Sequence, residues 1–402
     1  MNSDRNGLGG WRSGRPSSGL GGHRGPPGTA RANTAGAVPG LRIPYVPRYP
    51  SLYTAAGMIF ILVISLVLVV VLAFLFSKSP GRTLWYFFLG PLQNRYQFGN
   101  MLNGAVPLIL GGLGVSIAMK ANNFNLGGEG QIYAGAFVST IAAVALGNRA
   151  GPFVNSPGLP VFLAWLGAVA ALLAGAVFSG AAAWVSGFCR ARWNTSELIT
   201  SFLISGSLVL IVDYLVTGPF MDRQTNLLST EKIPEFFRFP LILPPSNLNT
   251  GFYFTLGVVL LVLVFLSRTR TGYEIRMTGS NDLFARYGGI ETGRITMCAM
   301  FLSGAFYGLA GGFSVYGTYY ATIKEFSSGL GWNGLATALI ARFRPVLIIP
   351  AAVFFAWIGA GARMAMQFSD VTLEMASIVQ GVILLLATSQ VLLNIFKRSA
   401  PR

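Results

Sequence analysis

The chain has 402 residues, yet only one of them is histidine, His23, and only two are cysteine, Cys189 and Cys298. A single histidine removes His-based catalysis and the H-E-x-x-H metalloprotease arrangement. Two cysteines beside apolar stretches provide neither a disulfide framework nor metal-ligand spacing. Charged residues make up 10% of the chain, and the thirteen acidic ones include no D-x-D pair or close-set carboxylates. No G-x-x-x-x-G-K-[ST] loop is present to cradle nucleotide phosphates. These absences speak against an enzyme, including an integral-membrane lipid or glycan enzyme.

Apolar sequence fills the space. The chain is 53% hydrophobic with a mean hydropathy of +0.58. Its apolar runs approach 20 residues, the length of a transmembrane helix. Lipid cannot satisfy backbone hydrogen bonds, so the spans must be helices or a closed barrel. Unbroken runs such as Ile59–Phe76 and Val258–Leu266 lack the alternation of a barrel strand. The expected fold is an all-α polytopic membrane protein with about ten spans: 52–76, 102–120, 129–147, 160–185, 197–217, 251–267, 293–318, 328–343, 346–366 and 373–396.

Residues 1–50 are rich in Gly, Pro, Ser and Arg and have no apolar run, which predicts a disordered basic tail. The remainder, 51–397, forms the membrane domain, and its first span reads as an uncleaved signal-anchor. With the tail inside, twenty Lys and Arg fall on the cytoplasmic side and eight outside, leaving Arg363 within a span. That asymmetry supports both termini inside. The net charge of +16 is therefore a topology signal rather than a nucleic-acid surface, because no separate basic domain exists. Gly218–Asn249 is expected outside as a partly ordered cap. Arg268–Arg294 is expected inside as short helices broken at Gly272, Gly279 and Gly288–Gly289.

Two polar segments interrupt this pattern. Phe124-Asn125-Leu126-Gly127-Gly128-Glu129-Gly130-Gln131 lies between apolar flanks. Asn125 is placed to cap a helix starting near Gly128, and Glu129 complements its dipole. The alternative is a capped turn at the cytoplasmic face, with Glu129 paired to a basic residue there. Thr271–Ile290 mixes charge with Ile275, Met277, Leu283, Phe284 and Tyr287 at near-helical spacing, which suits docking into a partner groove. A solvated loop against the bilayer is the plainer reading. Asp213, Arg363 and Glu374 lie in or at the ends of spans, where ionisable groups suggest a pathway or a structural pairing. The cluster Gly304, Gly308, Gly311 and Gly312 suits close helix packing.

The first segment resembles the F-N-[IL]-G-x-E-G-Q signature of ABC importer permeases for branched-chain amino acids, simple sugars and nucleosides. Thr271–Ile290 resembles that family's coupling pattern, G-x-x-x-R-x-x-G-x-N-x-x-A-A-R-Y-x-G-I. It departs where the double alanine is Phe284–Ala285 and where a second glycine stands in the pair Gly288–Gly289. Gly329-Leu330-Gly331-Trp332-Asn333-Gly334 is similar to a third motif, and Gln380–Gly381 follows in the last span, so the resemblance covers about 55–396. It implies a type II importer-like fold with two pseudo-repeated halves. Phe124–Gly130 and Phe326–Trp332 match as polar-glycine breaks before a short helix, a pointer to a transport pathway.

What the resemblance implies for function is an importer subunit in the bacterial inner membrane. Asn125, Gly127, Gly128, Glu129, Gln131, Gly329, Gly331, Asn333 and Gly334 would shape or support the pathway. Gly272, Arg276, Gly279, Asn281, Ala285, Arg286, Tyr287 and Gly288 would transmit closure of a cytoplasmic ATPase. That partner chain would hold ATP and Mg, and this chain would carry no cofactor or metal. Further implied partners are a second permease, identical or not, and an extracytoplasmic binding protein of the lipoprotein kind. The Gly-Glu-Gly-Gln form points to nucleosides or simple sugars, with a flavin-like vitamin as a further option. A secondary transporter driven by an ion gradient is the competing reading, with Asp213 or Glu374 as its ion ligands.

Overall fold

A computed structural model of the chain describes residues 52–154, 161–327, 329–372, 374, 377–382 and 384–385. The expected basic tail lies outside the described residues, as does most of the expected last span. Twelve helices are named in chain order: α1 (Leu52–Phe76), α2 (Pro80–Phe88), α3 (Arg95–Lys120), α4 (Gly128–Val154), α5 (Val161–Trp193), α6 (Glu197–Thr217), α7 (Gly251–Arg268), α8 (Arg270–Ser280), α9 (Asp282–Tyr287), α10 (Thr292–Ser314), α11 (Leu330–Ile340) and α12 (Pro345–Phe368). A π-helical turn, Val315–Tyr319, extends α10. Among the described residues there are isolated β-bridges but no strand.

Seven described helices are long and apolar enough to cross a membrane: α3, α4, α5, α6, α7, α10 with its π turn, and α12. The count of ten is not reached among the described residues. α1 has the length of a span, and its Leu66–Phe76 portion is an apolar stretch. α11 has only 11 residues and rises about 16 Å. It cannot cross alone, and the non-helical chain before it must complete the passage. α2 falls between the first two expected spans. Its signal was Ser79 followed by Pro80 at the first helical positions, then a run of aromatic residues of which Phe87 is buried.

α3 forms the centre, packing against α10, α11, α12, α7 and α8. α10 lies between α3, α4 and α5 at close range. A methyl group at Gly304, Gly308 or Gly311 would run into backbone carbonyls of Ser179, Gly175 and Ile132 respectively. The small residues thus permit backbone approach, as the glycine cluster predicted. α6 and α7 turn Leu210, Tyr214, Leu260 and Leu261 outward, as lipid-facing helices should.

Lys120, Arg276 and Arg344 gather at one end. Gly279 of α8 packs on the Lys120 carbonyl, Gly293 lies near Ala191, and Lys120 feels the charges of Arg276 and Arg344. At the opposite end Asp370 accepts hydrogen bonds from Ser77 Oγ and the Lys78 N–H, both at 2.6 Å. The segment 218–250 sits there as well. It is better ordered than the expected partial cap: Thr230, Ile233 and Phe239 donate backbone hydrogen bonds to the carbonyls of Thr322, Tyr320 and Tyr316. It therefore braces the π turn and the chain that descends to α11.

Candidate functional site

The polar run before α4 folds into a buried seam. Asn125 is 1% exposed and Gln131 is fully buried. Asn125 Nδ2 donates to Gln131 Oε1 at 2.8 Å and to Ser303 Oγ of α10 at 3.0 Å. Its Oδ1 accepts from Gln131 Nε2 at 3.1 Å and from the Gly127 N–H at 2.9 Å. The expectation that Asn125 caps α4 is corrected: its side chain makes a tight local turn with Gly127 and a reciprocal amide pair with Gln131 instead. The α4 backbone is tied to its neighbours by hydroxyls. Ser205 Oγ accepts from Gly130 N–H at 2.8 Å, Ser201 Oγ accepts from Leu126 N–H at 3.0 Å, and Ser179 Oγ donates to the Gln131 carbonyl at 2.7 Å.

Among the described residues Glu129 pairs with no basic residue. Its Oε2 accepts from the Gly331 N–H at 3.0 Å, with the Gly329 backbone and the Ser327 side chain also against the carboxylate. Gly329, the residue preceding α11, has φ of +82° and offers no side-chain cap. The carboxylate of one interrupted helix therefore supplies the missing N-terminal acceptor of the other, favourably placed against its dipole. A methyl group at Gly331 would collide with the Glu129 backbone nitrogen. The two polar-glycine breaks, distant in sequence, thus meet backbone to backbone. Gly128 presses on the buried Tyr307 ring, and Gly334 packs on Gly111 and Gly112 of α3. A small pocket lined by Asn125, Glu129, Tyr307, Gly331 and Trp332 lies at the junction. Asn333 is half-buried and contributes backbone bonds to Gly329 and Thr337.

The second group forms a separate site at the basic end. Gly272 and Gly279 do not break the helix; both lie within α8 and let it approach Phe265 and Lys120. The break falls at Asn281, whose Oδ1 accepts from the Phe284 N–H at 3.1 Å and caps α9. Gly288 and Gly289 end α9, the latter at φ of +79°. Ala285 is the buried residue of α9, and Arg286 pairs with Asp282 at 3.0 Å and with Thr292 Oγ1 at 3.0 Å. Arg276 is half-buried, and its Nη1 has no hydrogen-bond partner among the described residues. Nearby, burial and the charge of Arg344 push the Arg342 guanidinium below its usual pKa. Tyr287 is 91% exposed, and Leu283 and Phe284 are exposed beside it. α9 is an apolar knob held on a rigid base, beside a cavity lined by Tyr273, Met277, Phe284 and Ile290.

Asp213 accepts from Tyr133 Oη at 2.7 Å, and that hydroxyl accepts from the Glu325 N–H at 3.2 Å. This is a structural bracket between α6, α4 and the descending chain. No group of three or more His, Cys, Asp or Glu that could hold a metal occurs among the described residues.

A family model described as the permease component of branched-chain amino acid transport systems matches residues 97–388. That range contains the seam and the α8–α9 knob. The chain is 33% identical over 314 residues to a probable riboflavin import permease of Treponema pallidum, covering 78% of this chain and 80% of the relative. It is 30% identical over 325 residues to a glucose ABC transporter permease of Haloferax volcanii, covering 78% and 82%. A guanosine ABC transporter permease of Bacillus subtilis is 28% identical over 321 residues, covering 78% and 86%. No solved structure matches the chain.

Proposed function

The chain belongs to the family of branched-chain amino acid transport permease components, an ABC transporter permease subunit, and from that premise we propose that it imports a nucleoside, a flavin-like vitamin or a simple sugar. The named relatives are permeases of ABC transporters, so the ion-gradient carrier finds no support among them. Energy would come from a separate cytoplasmic ATPase that binds ATP and Mg and receives the α9 knob. A second permease subunit would complete the pathway, and a binding protein, anchored as a lipoprotein, would deliver solute to the face carrying 218–250. This orientation puts the basic end in the cytoplasm and the chain in the bacterial inner membrane.

The observation that carries the reading is the junction of two interrupted helices through Glu129 and Gly331. Non-helical backbone at membrane depth persists only where protein or a cavity surrounds it, and paired breaks in two halves mark transport sites. The test is uptake of guanosine, riboflavin and glucose into proteoliposomes containing the permease, its ATPase and its binding protein. Uptake of one of them that requires ATP supports the assignment. Uptake by the permease alone, without the ATPase, contradicts it.

A further inference from the structure

Arg363 is the one basic residue that the topology left inside a span. It lies on α12, recessed yet exposed at the protomer surface. A guanidinium at membrane depth is expensive, and such groups face a cavity or a partner rather than lipid. The usual escape is to extend toward the interface. Arg363 does the reverse. Helical side chains lean toward the helix N-terminus, and its Nη1 lies 3.5 Å from the position a Cβ would take at Gly359, one turn deeper. Gly359 stands nine residues before the end of α12 and fourteen after its start. At 1.5 Å per residue the guanidinium therefore lies about 14 Å from one end and about 21 Å from the other.

Its surroundings are polar and aromatic. Gln380 Nε2 lies 3.8 Å from that same Cβ position, so the amide and the guanidinium meet over Gly359. Tyr319 is close enough to interact electrostatically with Arg363, and its ring contacts Phe326 at 5.3 Å. Tyr319 closes the π turn, which Asn103 fixes through a 2.8 Å hydrogen bond to Thr318. Such π turns inside helices are frequent at functional sites. Among the described residues no carboxylate pairs with Arg363.

We propose that Arg363, Gln380 and Tyr319 form a solute-recognition site for a planar heterocycle bearing adjacent carbonyl and ring-nitrogen acceptors. The planar guanidinium fork matches such an edge in bidentate fashion, as it does with the O6 and N7 of guanine. The amide of Gln380 adds a further donor, and an aromatic ring supplies a stacking face. A hexose presents hydroxyls around a puckered ring and no flat acceptor edge. The site thus selects a nucleoside or a flavin over a simple sugar; the inference rests on the importer reading above.

The test compares the assembled transporter carrying wild-type permease, Arg363→Gln, Arg363→Lys or Gln380→Ala in proteoliposomes, with guanosine, riboflavin and glucose as probes. Expected for the Gln variant is a loss of guanosine or riboflavin uptake of about 10- to 100-fold, the range for a lost charged hydrogen bond. Lysine restores only part, because it lacks the fork. Gln380→Ala raises KM for the heterocycle more than it lowers kcat. Co-purification of the ATPase and the second permease controls for folding. Unchanged uptake by Arg363→Gln overturns the proposal. So does loss of the second permease in both arginine variants, which would assign Arg363 to an acidic group of that partner. Wild-type transport of glucose but neither heterocycle overturns the ligand class and leaves the importer reading intact. Transport of none of the three sinks that reading itself.

Discussion

Truncating Asn125 tests the seam most directly. Asn125→Ala removes four hydrogen bonds, to Gln131 twice, to Ser303 and from Gly127. Each contributes about 1 kcal/mol net, and every polar atom left buried without a partner adds a desolvation cost. The loss is therefore roughly 3–5 kcal/mol. Two of the four bonds are shared with Gln131. Asn125→Ala and Gln131→Ala should thus be non-additive, with the double variant recovering about 1–3 kcal/mol relative to the sum. Thermal unfolding of the full chain in detergent, followed by tryptophan fluorescence, reads both quantities. Asn125→Ala should lower Tm by roughly 4–6 °C in a protein of this size. Asn125→Asp, which is isosteric but turns an acceptor toward Gln131 Oε1, should be at least as damaging as Ala. If the single costs add, or if Asn125→Ala shifts Tm by less than about 2 °C, the reciprocal amide pair is not what holds the break closed.

Three further outcomes follow from the same geometry. Glu129→Gln keeps an acceptor for the Gly331 N–H and brings a donor, so its Tm should match wild type within the equivalent of about 1 kcal/mol, whereas Glu129→Ala should cost about 1–3 kcal/mol; equal loss in both would show that the charge matters more than the cap. Tyr287→Ala combined with Phe284→Ala should weaken association with the ATPase at least tenfold without moving Tm by more than about 2 °C, because exposed surface changes cost little stability; unchanged co-purification would rule out the knob. Asp370 is held below the ordinary carboxylate pKa by the hydrogen bonds from Ser77 and Lys78, so its contribution is present above about pH 4 and is lost as pH falls through the lowered value. Asp370→Asn should abolish that part of the acid-induced fall in Tm, and an unchanged pH profile would contradict it.

The sequence disclosed this architecture unevenly, for physical reasons. α6 and α7 were placed almost to the residue, because lipid-facing helices declare themselves by unbroken apolar length. α2 escaped notice because nine amphipathic residues make no transmembrane signal. Gly272 and Gly279 look like breaks on composition alone, which does not distinguish a glycine that ends a helix from one that lets it touch a neighbour. The structure shows contact with Phe265 and Lys120 within the first and last turns of α8. Asn125 has the local pattern of a cap, whereas its partners include Ser303, far along the chain. The meeting of Glu129 with Gly331 was hinted at only by the faint likeness of the two breaks. Their contact depends on the packing of α4 against α11, which no local pattern encodes.

The two groups of residues singled out by the sequence are distinct sites, yet a short physical connection joins them. Gly279 of α8 rests on the carbonyl of Lys120, the last residue of α3, and on Ala121. Asn122 then turns at φ of +57°, and Asn123 N–H bonds back to the Ala118 carbonyl. Phe124 N–H is accepted by Glu197, which pairs with Arg190. Asn125 follows and enters the seam. Each link is a backbone contact or an at least half-buried side-chain contact, so a displacement of α8 has little slack in which to dissipate. At the seam, the buried amides cannot lose partners one at a time, since each orphaned group carries its own desolvation cost. The bonds among Asn125, Gln131 and Ser303 must therefore exchange together or hold together. That requirement turns a polar interruption, which lipid alone would penalise, into an element with discrete arrangements, the kind of element through which a push at one site can bias another. A seam made of apolar residues could slide continuously under the same push; one made of mutually satisfied amides resists until it switches.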